Sequence, residues 1–270
     1  MMDVIIDILI ALVTVVAIAV LMGTLLALVT HFFSVKESRK KLRARACLPG
    51  VNCGACGFKG CDDYAAALAE GNAAPNLCVP GGEETAKAIG LILGVDVGDV
   101  KHEVAFVHCN GNASATTKKA EYEGISTCRA AGMIYGGPNA CVHGCLGYGD
   151  CAAVCPANAI CVKDGIAHVD KSLCLGCGLC ASVCPKKVIS MVPKNADIVV
   201  MCNSKDKGAD ARKACKNACI GCKKCEKTCP NGAIKVENNL AVIDYEKCTG
   251  CGACASGCPT GCLKNVSFGK

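Results

Sequence analysis

The sequence predicts an α+β chain in four parts. An apolar helix comes first, then a small helical unit rich in cysteine, then two tandem copies of a compact unit built on short hairpins. Three observations predict this. Residues Ile8 to Thr30 carry no charged side chain. The 27 cysteines among 270 residues fall into tight, recurring groups. A shift of 74 residues superposes one stretch of the chain on another.

The apolar stretch covers 23 positions. That is about 34 Å of helix at 1.5 Å per residue, against a hydrocarbon core of about 30 Å. A buried core helix has the same composition, so the flanks decide. A secretory signal puts cations ahead of its apolar run. Here Asp3 and Asp7 come first, and Lys36, Arg39, Lys40, Lys41, Arg43 and Arg45 follow. The positive-inside rule then predicts a single-pass anchor over 1–34 and a basic juxtamembrane linker over 35–46, with the remainder in the cytoplasm beneath the cell membrane. No segment beyond Arg45 is apolar enough to span a bilayer, so this chain alone forms no ion channel.

One residue in ten is cysteine, a density otherwise met in short secreted disulfide scaffolds. This chain is far longer, and its cysteine count is odd. Metal clusters account better for so many thiols. Aromatic residues make up only 4%, with no Trp, so small folds here depend on metal links more than on aromatic burial. The formal charge of +6 counts each cysteine as neutral. Five oxidised [4Fe–4S] centres with their thiolates would bring it to about −4. The basic balance is therefore no sign of nucleic-acid binding, and no aromatic-interleaved basic stretch supports that reading.

The first cysteine group is Cys53-Gly-Ala-Cys56-Gly-Phe-Lys-Gly-Cys61, with Cys78 before Pro80-Gly81-Gly82. Gly54, Gly57 and Gly60 let the backbone wrap a centre closely. Asp62 and Asp63 suit the first turn of a helix continuing through Glu70, and Glu83 to Leu93 reads as a second helix. The expected domain is 47–95, with one [4Fe–4S] cluster; a zinc knuckle is the simpler alternative. Residues 96–127 read as a connector.

The second and third groups are a duplication, expected as modules 128–200 and 201–270. Residues 141–190 match 215–264 at 20 of 50 positions without a gap. Each copy carries the pattern C-x2-C-x2-C-x3-C-P twice, the signature of two-cluster ferredoxins, in which the fourth cysteine of each run ligates the other cluster. Between the runs, Asp164-Gly165 and Asn238-Asn239 mark tight hairpin turns. One position breaks the pattern: Cys222 has Tyr148 as its counterpart, and Cys141 is the nearest substitute ligand. The expected sets are Cys141, Cys145, Cys151 and Cys184; Cys155, Cys174, Cys177 and Cys180; Cys219, Cys222, Cys225 and Cys258; and Cys229, Cys248, Cys251 and Cys254. With Cys53, Cys56, Cys61 and Cys78 these make five [4Fe–4S] clusters.

Seven cysteines remain. Cys47 reads as a spare thiol, Cys161 as an outward strand residue, and Cys262 as a small buried residue beside a cluster. Cys109, Cys128, Cys202 and Cys215 either form a sixth cluster or stay unligated and buried. His102, His108, His143 and His168 need no special role. There is no strand–GxGxxG–helix unit, no P-loop and no nucleophile–base pair, so a nicotinamide or flavin would sit on another chain.

The order of these modules is specific. A membrane helix, then Leu48-Pro-Gly-Val-Asn-Cys53 through Cys61, then Gly144-Cys-Leu-Gly-Tyr-Gly-Asp-Cys151-Ala-Ala-Val-Cys-Pro156 resembles the B-subunit family of Rnf complexes over essentially the whole chain. The resemblance implies an iron–sulfur subunit of a membrane-bound ferredoxin:NAD oxidoreductase that couples electron flow to sodium or proton translocation. It implies electrons accepted from soluble ferredoxin and passed to membrane and flavin- or NAD-binding subunits, with no complete catalytic site on this chain. The alternative is a membrane-tethered polyferredoxin that serves another redox enzyme or reduces a redox-sensing regulator. Residues 205–227, with eight Lys or Arg against three Asp or Glu, are the expected ferredoxin-docking surface.

Overall fold

The computed structural model describes residues 2–32, 38–98 and 102–266. Lys36 lies outside the described residues, as do the side chains of Asp3 and Asp7. The chain mixes helices and short strands.

Helix α1 (Met2–Phe32) runs for 31 residues. It contains one stretch, Leu12–Val29, long and apolar enough to cross a membrane, and none of that stretch is buried within the chain. Its apolar residues surround the helix and form no stripe, which suits a hydrocarbon environment better than a one-sided core.

Three helices build the next unit: α2 (Arg39–Cys47), α3 (Cys61–Glu70) and α4 (Gly82–Leu93), with α2 packed against both others. Asp62 and Asp63 open α3, where they complement the helix dipole. The Cys61 N–H donates to Asn52 Oδ1 at 2.8 Å, and Arg45 Nε meets Asp62 Oδ1 at 2.8 Å. Ala44, Leu48, Tyr64, Leu68 and Ile89 fill the small core. Tyr64 is fully buried. Its hydroxyl donates to the Ala74 carbonyl at 2.6 Å and accepts from the Leu77 N–H at 3.3 Å, pinning the segment that leads into Cys78.

The remaining chain follows one strand plan twice. The upstream half contains β1 (Glu103–Val107), α5 (Cys128–Met133), α6 (Asp150–Ala153), β2 (Ile160–Lys163), β3 (Ile166–Val169), α7 (Leu179–Val183) and β4 (Ile189–Pro193). The downstream half contains β5 (Ile198–Val200), α8 (Gly208–Ala214), α9 (Lys224–Thr228), β6 (Ile234–Glu237), β7 (Leu240–Ile243), α10 (Ala253–Ser256) and β8 (Leu263–Asn265). Hairpins β2–β3 and β6–β7 pair antiparallel, with Ile160 opposite Val169 and Ile234 opposite Ile243. Both central residues of each turn have positive φ: 51° and 76° at Asp164 and Gly165, 48° and 65° at Asn238 and Asn239. That is the turn whose twist matches the strands it joins.

The other pairings cut across the expected boundaries. β1 lies inside the 96–127 stretch read as a connector, yet it pairs antiparallel with β4. β5 lies before residue 201, yet it pairs with β8, Ile198 opposite Asn265. Each half is thus closed by a strand that precedes its first cysteine run. These strands are apolar almost throughout and three to five residues long, so no polar alternation announced them.

The upstream half meets the helical unit at Gly176, where an added Cβ would lie 2.5 Å from the Glu103 carbonyl oxygen and 3.0 Å from Val79 Cγ1. Val79 follows Cys78 directly, so the two cysteine-bearing loops abut.

Tyr64→Phe leaves the Ala74 carbonyl and the Leu77 N–H without their partner. We expect a loss of about 1–3 kcal/mol, read as a lowered anaerobic thermal midpoint and faster iron release from the helical unit.

Candidate metal centres

Cys53, Cys56, Cys61 and Cys78 converge between α3 and the segment before α4. Gly54 and Gly57 take left-handed φ of 73° and 86°, bending the loop so that its sulfurs turn inward. The Cys78 thiol is pushed up in pKa by burial and further by its neighbours Cys61, Cys53 and Cys56. Cys47 packs against the same core from the end of α2.

In the downstream half, Cys229, Cys248, Cys251 and Cys254 line one cavity. Cys219, Cys222, Cys225 and Cys258 line another, together with Cys262. Burial pushes Cys225 up to about 11. Backbone donors already point at these sulfurs: the Ala233 N–H donates to Cys229 Sγ at 3.3 Å. The upstream half repeats this contact, the Ala159 N–H donating to Cys155 Sγ at 3.3 Å. Cys155, Cys174 and Cys177 surround Cys180, whose thiol rises to about 11, first through burial and then through Cys174 and Cys177. Cys53 also acts on Cys177, so the centre of the helical unit adjoins this one.

The broken position behaves differently from the expected ligand set. Tyr148 stands where Cys222 stands downstream, and its ring packs edge-on against Tyr122 at 5.7 Å. Cys128 is packed in the same small cluster. It starts α5, and its N–H donates to Asp150 Oδ1 at 2.9 Å while the Arg129 N–H donates to Asp150 Oδ2 at 3.1 Å. Asp150 begins α6, immediately before Cys151, so one carboxylate ties Cys128 to that centre. Burial raises Cys151 to about 12, followed by Cys145, Cys128 and Cys184 acting together. Cys128 thus neighbours Cys145, Cys151 and Cys184.

Cys141 instead packs against the downstream core. It lines a cavity in the seam between the halves with Cys109, Cys202 and Cys215; Cys145, which also neighbours Cys151, borders the same cavity. Nearby backbone measures how closely Cys109, Cys141 and Cys215 gather. A Cβ at Gly111 would touch Cys215 Sγ at 3.5 Å and Cys109 Sγ at 3.6 Å; one at Gly144 would touch Cys141 Sγ at 3.5 Å and Cys109 Sγ at 3.6 Å. The Cys145 N–H donates to Cys109 Sγ at 3.4 Å, and the Cys219 N–H donates to Cys202 Sγ at 3.3 Å. Gly111 and Ser204 N–H groups add matching bonds at 3.4 Å. The seam is thus pseudo-symmetric: Cys109 corresponds to Cys202, and Cys141 to Cys215. Burial raises Cys109 to about 12. His143 Nε2 lies 3.1 Å from Asp206 Oδ1 across the same seam, and His108 bridges the Val200 carbonyl and Ser190 Oγ, both at 2.6 Å.

The 74-residue shift hid this arrangement by laying Cys128 on Cys202. The signal that reveals it is Val107-His-Cys109-Asn110 against Val200-Met-Cys202-Asn203, the same tetrapeptide pattern at the end of β1 and of β5. Cys161 is exposed on β2 and joins no group.

Among the described residues, no three Cys, His, Asp or Glu side chains converge on a single-ion site. Sulfurs on one tetrahedral zinc stand about 3.8 Å apart, given Zn–S bonds of about 2.3 Å. The seam and downstream cysteines frame cavities instead, as a multi-iron cluster requires. Burial holds Cys109, Cys151, Cys180 and Cys225 above the ordinary thiol range, so cluster assembly there must displace their protons.

Family models agree with this chemistry. The Fe-S cluster model matches residues 48–80, the 4Fe-4S binding domain model residues 167–190, and the 4Fe-4S dicluster domain model residues 218–262. The chain is 42% identical over 226 residues to the B subunit of the Na(+)-translocating ferredoxin:NAD(+) oxidoreductase complex of Acetobacterium woodii, covering 83% of this chain and 68% of the relative. It is 46% identical over 229 residues to the B subunit of the proton-translocating ferredoxin:NAD(+) oxidoreductase complex of Clostridium ljungdahlii, covering 84% and 81%. The B subunit of the ion-translocating oxidoreductase complex of Methanosarcina acetivorans is 41% identical over 226 residues, covering 83% and 86%.

Anaerobically prepared protein is expected to be brown, with iron and acid-labile sulfide in equal amounts. Colourless protein loaded with zinc would contradict the cluster chemistry.

Proposed function

The chain belongs to the B-subunit family of ion-translocating ferredoxin:NAD oxidoreductase complexes, and on that premise we propose that it is the complex's electron wire, a line of six [4Fe–4S] clusters. The observation that carries this reading is the seam cavity lined by Cys109, Cys141, Cys202 and Cys215, because without it the two halves have no cluster between them.

Two tandem two-cluster modules then flank one bridging cluster. The ligand sets are Cys53, Cys56, Cys61 and Cys78; Cys155, Cys174, Cys177 and Cys180; Cys128, Cys145, Cys151 and Cys184; Cys109, Cys141, Cys202 and Cys215; Cys219, Cys222, Cys225 and Cys258; and Cys229, Cys248, Cys251 and Cys254. They differ from the expected sets in moving Cys141 to the seam and bringing in Cys128. Neighbour contacts support the order. Cys53 lies beside Cys177, Cys151 beside Cys180, Cys109 beside Cys145, and Cys202 beside Cys219. Each cluster supplies a one-electron site. The protein's own contribution is spacing, burial, and N–H groups aimed at the sulfurs.

Soluble ferredoxin is the proposed donor. Lys205, Lys207, Arg212, Lys213, Lys216, Lys223, Lys224 and Lys227 are all exposed. They surround the loop bearing Cys222, itself exposed. Ferredoxins are usually acidic, so this face suits their docking, and electrons would leave the line through the helical unit. The flavin- and NAD-bearing sites belong to partner subunits, and the translocated ion is Na+ or H+. The cations Arg39, Lys40, Arg43 and Arg45 after α1 support an anchor whose cluster-bearing part faces the cytoplasm.

Two measurements test this. Six clusters require about 24 iron per chain. Cys128→Ser, Cys141→Ser and Cys215→Ser should each lose about four, while Cys47→Ser and Cys161→Ser lose none. Full iron in Cys128→Ser, with loss in Cys141→Ser of a centre that also needs Cys151, would contradict the assignment. For docking, reversing Lys223, Lys224 and Lys227 to Glu should slow reduction by ferredoxin about tenfold or more at low salt, and less as ionic strength rises, with iron unchanged. A second-order rate equal to wild type at every salt concentration would rule this face out.

A further inference from the structure

We propose that Cys262 is a positioning residue for the downstream centre of Cys219, Cys222, Cys225 and Cys258: its thiol stays off iron, donates to the Cys258 ligand sulfur, and holds that centre at a higher reduction potential than its upstream repeat equivalent. The inference rests on the ligand sets proposed above.

Cys262 is 1% exposed and lines the same cavity as those four cysteines. Its Sγ lies 3.9 Å from Cys258 Sγ, the two thiols sharing one hydrogen bond with Cys258 as donor; an iron-bound Cys258 thiolate has no proton, so on the loaded chain only Cys262 can donate. The site therefore holds five thiols where a cluster takes four. Cys258 Sγ has a further partner in Thr260 Oγ1 at 3.7 Å.

The duplication supplies an internal control. Four turns in the chain read Cys-Pro followed by two residues and a small buried side chain. That side chain is Ala159, Val188, Ala233 or Cys262. Val188 and Cys262 are the 74-residue equivalents, and their backbones do the same work. The His108 N–H donates to the Val188 carbonyl at 2.7 Å, and the Met201 N–H donates to the Cys262 carbonyl at 2.7 Å. Both side chains are 1% exposed. Between the two centres this position thus differs only in its side chain, an inert isopropyl group against a thiol.

The direction follows from electrostatics. An iron-bound thiolate carries negative charge, and one-electron reduction adds more. A donor aimed at the ligand sulfur stabilises the reduced state more than the oxidised one, so the potential rises. Cys222 and its neighbouring lysines are exposed beside the same centre, so the tuned centre is the one nearest the proposed docking face. A raised potential there favours capture of an electron from a low-potential donor.

The test uses full-length, anaerobically purified chain in detergent, with potentiometric titration followed by electron paramagnetic resonance. Cys262→Val, which installs the upstream residue, should keep all its iron and move one centre to lower potential. The expected shift is roughly three- to tenfold in the reduction equilibrium, where tenfold is 59 mV for one electron. Cys262→Ser, which keeps a donor, should stay closer to wild type, and Val188→Cys should raise one upstream centre. An unmoved titration in Cys262→Val would overturn the proposal. Loss of about four iron in Cys262→Val and Cys262→Ser alike would overturn it too, by making Cys262 a ligand. Cys258→Ser separates failure of the underlying assignment: if it retains every iron, the ligand set is wrong.

Discussion

Iron–thiolate ligation is the constraint on which the rest of this structure depends. The strands of the two halves run three to five residues, and their helices four to seven. No such element is stable alone. The buried interior is unusually rich in sulfur: Cys109, Cys145, Cys151 and Cys180 sit in one core, and Cys202, Cys215, Cys219, Cys225, Cys254 and Cys262 in another. Around them stand mostly Ala, Val and Ile, with few aromatic rings. Short loops bring sulfurs to the edge of the seam and downstream cavities, and clusters bonded to them close the fold in a way that apolar contact of this extent does not. The helical unit relies on the same device with a firmer support, since Tyr64, Leu68 and Ile89 give it a conventional core.

A second principle is the imperfect duplication. Two identical modules side by side would each be complete and would have no built-in link. In the proposed assignment, Tyr148 in place of one loop cysteine opens a place that Cys128, held by Asp150, occupies. That frees Cys141 to face the seam with its repeat partner Cys215. The strand ends at Cys109 and Cys202 supply the other two thiols. In the proposed assignment, asymmetry between the copies is what converts two ferredoxin-like units into a continuous path. The side-chain difference between Val188 and Cys262 adds a gradient to that path at no cost in backbone geometry.

Much of this was legible in the sequence for identifiable reasons. The hairpins were readable because Asp164-Gly165 and Asn238-Asn239 are turn dipeptides that tolerate positive φ. Helices α3 and α4 were readable because acidic residues open both of them, Asp62 and Asp63 in one, Glu83 and Glu84 in the other. The apolar helix announced itself by length. What escaped was long-range pairing. β1 and β5 are too short and too uniformly apolar to declare partners some 65 to 90 residues away. Without that pairing, the Val-x-Cys-Asn shared by Cys109 and Cys202 is a faint signal beside the 74-residue register, and proximity in sequence favours Cys141 over Cys128 as the partner of Cys145. Thr127 and Asp150, 23 residues apart in sequence, together fix the start of α5, a contact that only the folded chain makes evident.

The most direct test of the central claim is iron-edge anomalous scattering from crystals of the cluster-loaded chain. The expected result is a line of six iron peaks, one of them lying between Cys109, Cys141, Cys202 and Cys215 with the two halves on either side. A map with no iron density in that seam, and Cys141 bound to the peak shared by Cys145, Cys151 and Cys184, would contradict it.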